Sequence, residues 1–175
     1  MADRKDDVSY YAKSVQKGWR EKYGDKIEMT TYQRANQLHK KVNLFILSCI
    51  GEDGYPLTKA VVPGKYRESL NELFFATNTS SKFADAISKN QKASVYFYSR
   101  KLVFIWKGCY LKGDMEVVTD MAIKEKFWDN KYKGAYEQGT FTDPDFCVLK
   151  FTPKTGRFYA NFTIADFDFE GKEND

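Results

Sequence analysis

Histidine is almost missing from this chain, which carries one, His39, in 175 residues. Cysteine is sparse: Cys49, Cys109 and Cys147 stand far apart, odd in number and without a C-x-x-C pair. That combination excludes a Cys/His zinc site and a disulfide framework, so no metal site is expected. Free thiols inside apolar runs behave as small hydrophobes and suit a reducing cytoplasm. No long hydrophobic run exists. The longest, Leu44–Ile50, is far too short to span a membrane, and the polar start Met1–Asp7 does not read as a signal peptide. Charge of one sign is not concentrated either. The net charge is +4, but lysine and arginine are interspersed with acids, which gives no nucleic-acid footprint.

Aromatic residues are plentiful, with 14 Phe and 12 Tyr, enough for a β-rich core and for contacts to flat ligands. Residues 7–23 follow a helical apolar spacing through Val8, Tyr11, Ala12, Val15 and Trp19. A second helix is expected over 30–41, opened by the capping-box pair Thr30 and Gln33. His39 lies beside its apolar face, flanked by Lys40 and Lys41, and reads as a solvated or satisfied packing residue rather than a catalytic one. From Asn43 the pattern becomes β. Strands are expected at 43–50 and 55–62 around the turn Gly51-Glu52-Asp53-Gly54, then at 72–77, 93–98, 102–118, 146–152 and 156–163. Helices are expected at 80–89 and 120–129. Ser99-Arg100-Lys101 reads as a turn, and Gly108 and Gly113 as bends at a barrel corner. Residues 130–145 lack a period and close on Asp143-Pro144-Asp145, as a lid or an interface loop would. The organisation expected is an N-terminal helical extension (1–29), one β-barrel domain (30–165) and an acidic tail (166–175).

The chemistry is concentrated where Leu73-Phe74-Phe75-Ala76 gives way to Thr77-Asn78-Thr79-Ser80-Ser81-Lys82. A strand here runs into a helix N-terminus, where unpaired N–H groups and the helix dipole favour an anion. Hydroxyls and an ammonium added there make a seat for a phosphate. A plain N-cap by Thr79 or Ser80 explains the same residues without a ligand. Lys59 interrupts the apolar strand Leu57–Val62 and so needs a partner or an exposed face. A bound phosphate would be one answer, and an edge-strand lysine that blocks aggregation the other. Val61 and Val62 then offer backbone groups to the rim of a flat heterocycle.

The order of these pieces resembles the pyridoxamine 5′-phosphate oxidase-like, FMN-binding split-barrel superfamily, most closely its general-stress-protein-like branch. The resemblance rests on Glu52-Asp53-Gly54-Tyr55-Pro56, Thr58-Lys59, Phe74–Lys82, Asn90–Tyr98, Gly113–Val118 and Val148–Tyr159, and spans about residues 28–160. It implies an α+β fold, mainly β with helices, built on an antiparallel split β-barrel. It further implies a homodimer with two FMN sites at the subunit interface. Lys59, Ser80, Ser81 and Lys82 correspond to the family's phosphate cradle, with Ser81 where arginine is usual. Thr77 is a nearby polar contact, Val61 and Val62 meet the flavin ring, and Phe158-Tyr159 lies near the partner's flavin. Three departures stand against vitamin B6 phosphate oxidation. Pro63-Gly64 replaces a second basic residue, and Gly108-Cys109 falls where a flavin-touching glutamine would stand. Ala160–Asp166 lacks the Arg/His-rich segment that would bind the substrate phosphate. The expected function is FMN-dependent electron or hydride transfer from NADH or NADPH to an unidentified acceptor. No side chain stands out as an obligatory acid or base. The rivals are a non-catalytic flavin store or sensor, a ligand-free barrel, and a deazaflavin or haem protein, with His39 the sole candidate haem ligand.

Overall fold

A computed structural model describes residues 29–169 other than 65, 103–104 and 161–162, so the helix expected at 7–23 lies outside the described residues. Helix α1 spans Thr31–Lys41, and Thr30 caps it: its hydroxyl accepts from Gln33 N–H while the Gln33 side chain accepts from Thr30 N–H. Both expected partners of the capping box are thus in place. Ala35, Leu38 and His39 are buried on its inner face. His39 is neither solvated nor satisfied, contrary to expectation. Its ring packs against Phe45 and Phe97, at 5.8 and 6.1 Å between centroids, and its Nδ1 has no hydrogen-bond partner among the described residues.

Strands β1 (Phe45–Ile50) and β2 (Pro56–Val61) form the expected hairpin, and Gly54 supplies the positive φ of 78° that its turn requires. Strand β3 (Leu73–Asn78) leads into helix α2 (Lys82–Lys89), which buries Phe83, Ala84, Ala86 and Ile87. The remaining elements are β4 (Lys92–Leu102), β5 (Ile105–Val118), α3 (Met121–Phe127), a 3-10 turn at Asn130–Ala135, β6 (Phe146–Ala160) and β7 (Thr163–Asp168).

Three boundaries differ from the sequence reading. The expected turn at 99–101 continues strand β4, paired through Arg100 with Trp106. The expected break at Pro153 is a register shift inside one long strand, β6, opposite Gly113. Gly113 is needed there, because a Cβ would come within 2.1 Å of the Thr152 carbonyl oxygen. Strand β7 also carries the sheet past Ala165, so Asp166 and Asp168 belong to a strand and not to a tail.

All strand pairs among the described residues are antiparallel, in the order β2-β1-β4-β5-β6-β3, and β7 pairs with Thr155–Ala160 of β6 on the same edge that β3 uses further along. The main core lies inside the curled sheet, with Phe45, Phe75, Phe97, Phe151 and Phe158 filled in by Leu47, Leu111 and Met115. A second cluster, Phe127, Phe146 and Val148, lies under the 130–145 segment. The ends of the strand path, β2 and β3, make no backbone ladder with each other. A seam therefore remains between them, and the candidate site lies on it.

Candidate functional site

Lys59 points from β2 across the seam. Its ammonium donates to the Thr77 hydroxyl of β3 at 2.7 Å and stands 4.7 Å from the centre of the Phe83 ring, on the first turn of α2. One side chain thus ties together the two free sheet ends and the helix start. Among the described residues no carboxylate pairs with this ammonium, and burial lowers its pKa from the usual lysine value. A hydroxyl and a ring face solvate a cation only weakly, so the arrangement favours an anion beside it.

The neighbouring thiols do not supply that anion. Cys147 forms a register pair with Thr77, and burial pushes its thiol up to about 11; the Cys49 thiol is also raised by burial. Both are neutral thiols at physiological pH.

The helix is capped by Ser81, not by Thr79 or Ser80: its hydroxyl accepts from Ala84 N–H at 3.1 Å. Its own O–H remains free to donate. The N–H groups of Lys82 and Phe83 open the helix, and the Lys82 side chain is exposed. Ser80 behaves otherwise than expected. Its backbone N–H and hydroxyl donate to the Asp145 carboxylate at 2.8 and 2.9 Å, joined by Asn78 Nδ2 and the Thr79 hydroxyl at 2.8 and 2.9 Å. These bonds hold the Asp145 carboxyl well below the usual carboxylate range. Sequence reasoning missed Asp145, which had registered only as the end of a loop, and it missed the Phe83 ring beneath Lys59.

Residues 130–145 form a strap stitched to this region. The Tyr136 hydroxyl donates to the Thr77 carbonyl at 3.2 Å, and Thr79 N–H donates to the Asp145 carbonyl at 2.8 Å. Trp128 and Tyr136 pack on Phe146 beneath it. Buried Lys124 donates to the Asp143 carbonyl at 2.7 Å, and the Asp143 carboxylate accepts from Gln138 and Asp145 N–H.

Val61 ends β2, half-buried opposite Phe45, and Val62 follows it, exposed. Among the described residues β2 pairs only with β1, so its outer edge is open to a ligand. Tyr159 stands elsewhere in the protomer, on β6, stacked on Trp106 at 6.1 Å. With Tyr96 and Tyr110 these rings line an open hollow of about 410 Å³. Gly108 leaves room for the Tyr96 ring, whose hydroxyl oxygen lies 2.7 Å from where a Cβ would be. Arg157 flanks this face, but Asp166 holds its guanidinium through two bonds of 2.6 and 2.9 Å.

The family model described as "Pyridoxamine 5'-phosphate oxidase like" matches residues 35–167. The chain belongs to the pyridoxamine 5′-phosphate oxidase-like family. Within it, a solved structure from Clostridium acetobutylicum, a protein related to general stress protein 26 of B. subtilis, is 29% identical. It covers 78% of this chain and 93% of its own, with a TM-score of 0.66. A pyridoxamine 5′-phosphate oxidase-related, FMN-binding protein from Nostoc punctiforme is 15% identical, with a TM-score of 0.57 over 82% of this chain and 98% of its own. A heme-binding protein from Mycobacterium smegmatis is 12% identical, with a TM-score of 0.66 over 81% and 59%. The last two share the fold. No curated protein matches the chain. The fold is therefore the split barrel of this oxidase-like family. No helix among the described residues is long and apolar enough to cross a membrane, and no group of potential ligands there would hold a metal ion.

Proposed function

We infer that the protein binds FMN at the β2/β3 seam and passes electrons or hydride from NADH or NADPH to an acceptor. The observation that carries this reading is Lys59, a half-buried ammonium held by a neutral hydroxyl and a ring face beside a helix N-terminus. The FMN phosphate is an anion suited to that position. Lys59, Thr77, Ser81 and Lys82 form the phosphate end, with the N–H groups of Lys82 and Phe83 beside it, while Ser80 is engaged by Asp145. The open backbone edge at Val61 and Val62 takes the polar rim of the isoalloxazine. The flavin supplies the redox chemistry, and the protein supplies binding, orientation and shielding from water.

The protein acts as a cytoplasmic homodimer in this reading, with Tyr159 reaching the flavin held by the partner subunit. The exposed aromatic face on β4, β5 and β6, including Tyr98 at 49% exposure, favours burial against a second copy. Haem is the weaker alternative, because the lone histidine is 2% exposed and packed against two phenylalanines of the core.

Fluorescence titration with FMN and riboflavin tests the reading. FMN should bind tighter, since charge-assisted hydrogen bonds contribute about 1.5–3 kcal/mol each. Equal affinities would remove the phosphate seat. Reduction of bound FMN by NADH or NADPH is expected; failure of both would leave a flavin store or sensor.

A further inference from the structure

The β3–α2 turn already holds an anion of its own. Four donors from Asn78, Thr79 and Ser80 converge on the two oxygens of Asp145, all at 2.8–2.9 Å. Hydroxyls read from the sequence as ligand contacts are therefore spent on a carboxylate from a residue some 65 positions later. A phosphate dianion cannot share those donors at contact distance, because two like charges would meet there. Displacing Asp145 would forfeit four charge-assisted bonds, and its carrier segment is braced by Asp143 and Lys124.

We propose that Asp145 is the positioning residue of the phosphate seat. It clamps Asn78, Thr79 and Ser80 from one side, so that the turn presents the Ser81 hydroxyl, the Lys82 and Phe83 N–H groups and the Lys82 ammonium toward Lys59. Ser80 then acts through Asp145 and does not touch the ligand. The clamp sets selectivity for a phosphorylated flavin, and in this it rests on the FMN reading above. The four bonds that hold its carboxyl below the usual range keep the clamp charged at physiological pH.

The full chain and its Asp145→Asn, Ser80→Ala and double variants are titrated with FMN and with riboflavin. Asp145→Asn turns an amide N–H₂ toward groups that donate. It should reduce the preference for FMN over riboflavin by about tenfold, the equivalent of one charge-assisted hydrogen bond, while riboflavin affinity holds. General loss of stability would weaken both ligands alike. Ser80→Ala should shift the same ratio, and should add nothing in the Asp145→Asn background. Additive losses would mean that Ser80 contacts the phosphate directly, and tighter FMN binding by Asp145→Asn would make Asp145 a competitor. Either result overturns the proposal. Thr79→Val removes one donor and keeps the carboxylate, and carries the same test if Asp145→Asn does not fold. Wild-type protein that binds neither flavin would overturn the FMN reading instead. The clamp is then judged by amide exchange, and unchanged protection at Ser80 in Asp145→Asn would refute it.

Discussion

Acidification from about pH 8 to about pH 4 should destabilise the fold through one identifiable group. His39 is 2% exposed, rests against Phe45 and Phe97, and faces the positive charges of Arg67 and Lys40. Arg67 lies close: its guanidinium donates to the His39 and Val42 carbonyls. Burial first, then Arg67 and Lys40, lower the His39 pKa from 6.5 to about 4. The unfolded chain takes up a proton near pH 6.5 and the folded one only near pH 4. Stability is thus fully present above the unfolded value, falls as the pH drops through the window, and levels off below the folded value. A depression of that size at 1.36 kcal/mol per unit amounts to about 3 kcal/mol. Urea unfolding followed by tryptophan fluorescence at closely spaced pH values reads this directly. The midpoint should slide between pH 6.5 and 4, and His39→Gln should flatten that slope whatever its absolute stability. Carboxylates held low, such as Asp145 and Asp166, add their own loss only from about pH 5 downward, so the slope is to be read between pH 6.5 and about pH 5, where His39 acts without them. A flat wild-type profile, or a slope that survives in His39→Gln, would refute the reasoning.

Lys59→Ala should weaken FMN binding by about tenfold to a hundredfold and riboflavin far less, since one charge-assisted contact of about 1.5–3 kcal/mol is lost; titration of both ligands checks it. Light scattering at micromolar concentration should give a dimer mass with FMN bound, and a monomer would contradict the interface reading. Gly113→Ala should lower the thermal midpoint by several degrees, because its Cβ would overlap the Thr152 carbonyl; an unchanged midpoint would mean that the β5–β6 bulge relaxes freely. Turnover of pyridoxamine phosphate with FMN and oxygen should be absent: Arg157, the basic group beside the aromatic pair, is neutralised by Asp166. Robust turnover would point to Lys131 or Lys133 as substitutes.

Local signals survived the passage to three dimensions. Thr30 and Gln33 announced a helix start through a contact three residues long, and Asp53-Gly54 announced a hairpin through a backbone angle. The strand-to-helix turn at 77–82 was equally legible, because its apolar run and its helical face adjoin. What failed was non-local. Pro153 reads as a strand break, yet it is accommodated by a glycine on the neighbouring strand. The aperiodic 130–145 segment gave no sign that Tyr136 and Asp145 would reach back to β3. His39 was read as either solvated or a satisfied packing residue, because helical phase alone does not show that α1 turns it into an aromatic core with its Nδ1 unpartnered among the described residues. Lys59 was read as either a phosphate ligand or an edge lysine. It stands on an edge strand, with the ligand role resting on the proposal above.

The Asp145 clamp also bears on the order of folding. Strand β3 and helix α2 are contiguous and can form early, but the carboxylate that fixes the turn between them arrives only when β6 docks on β3. That docking closes a long loop and belongs to the slow, non-local phase of assembly. A ligand that needs the finished turn finds no partner in the early chain. FMN present during refolding should therefore leave the folding rate nearly untouched and act on the rate of unfolding.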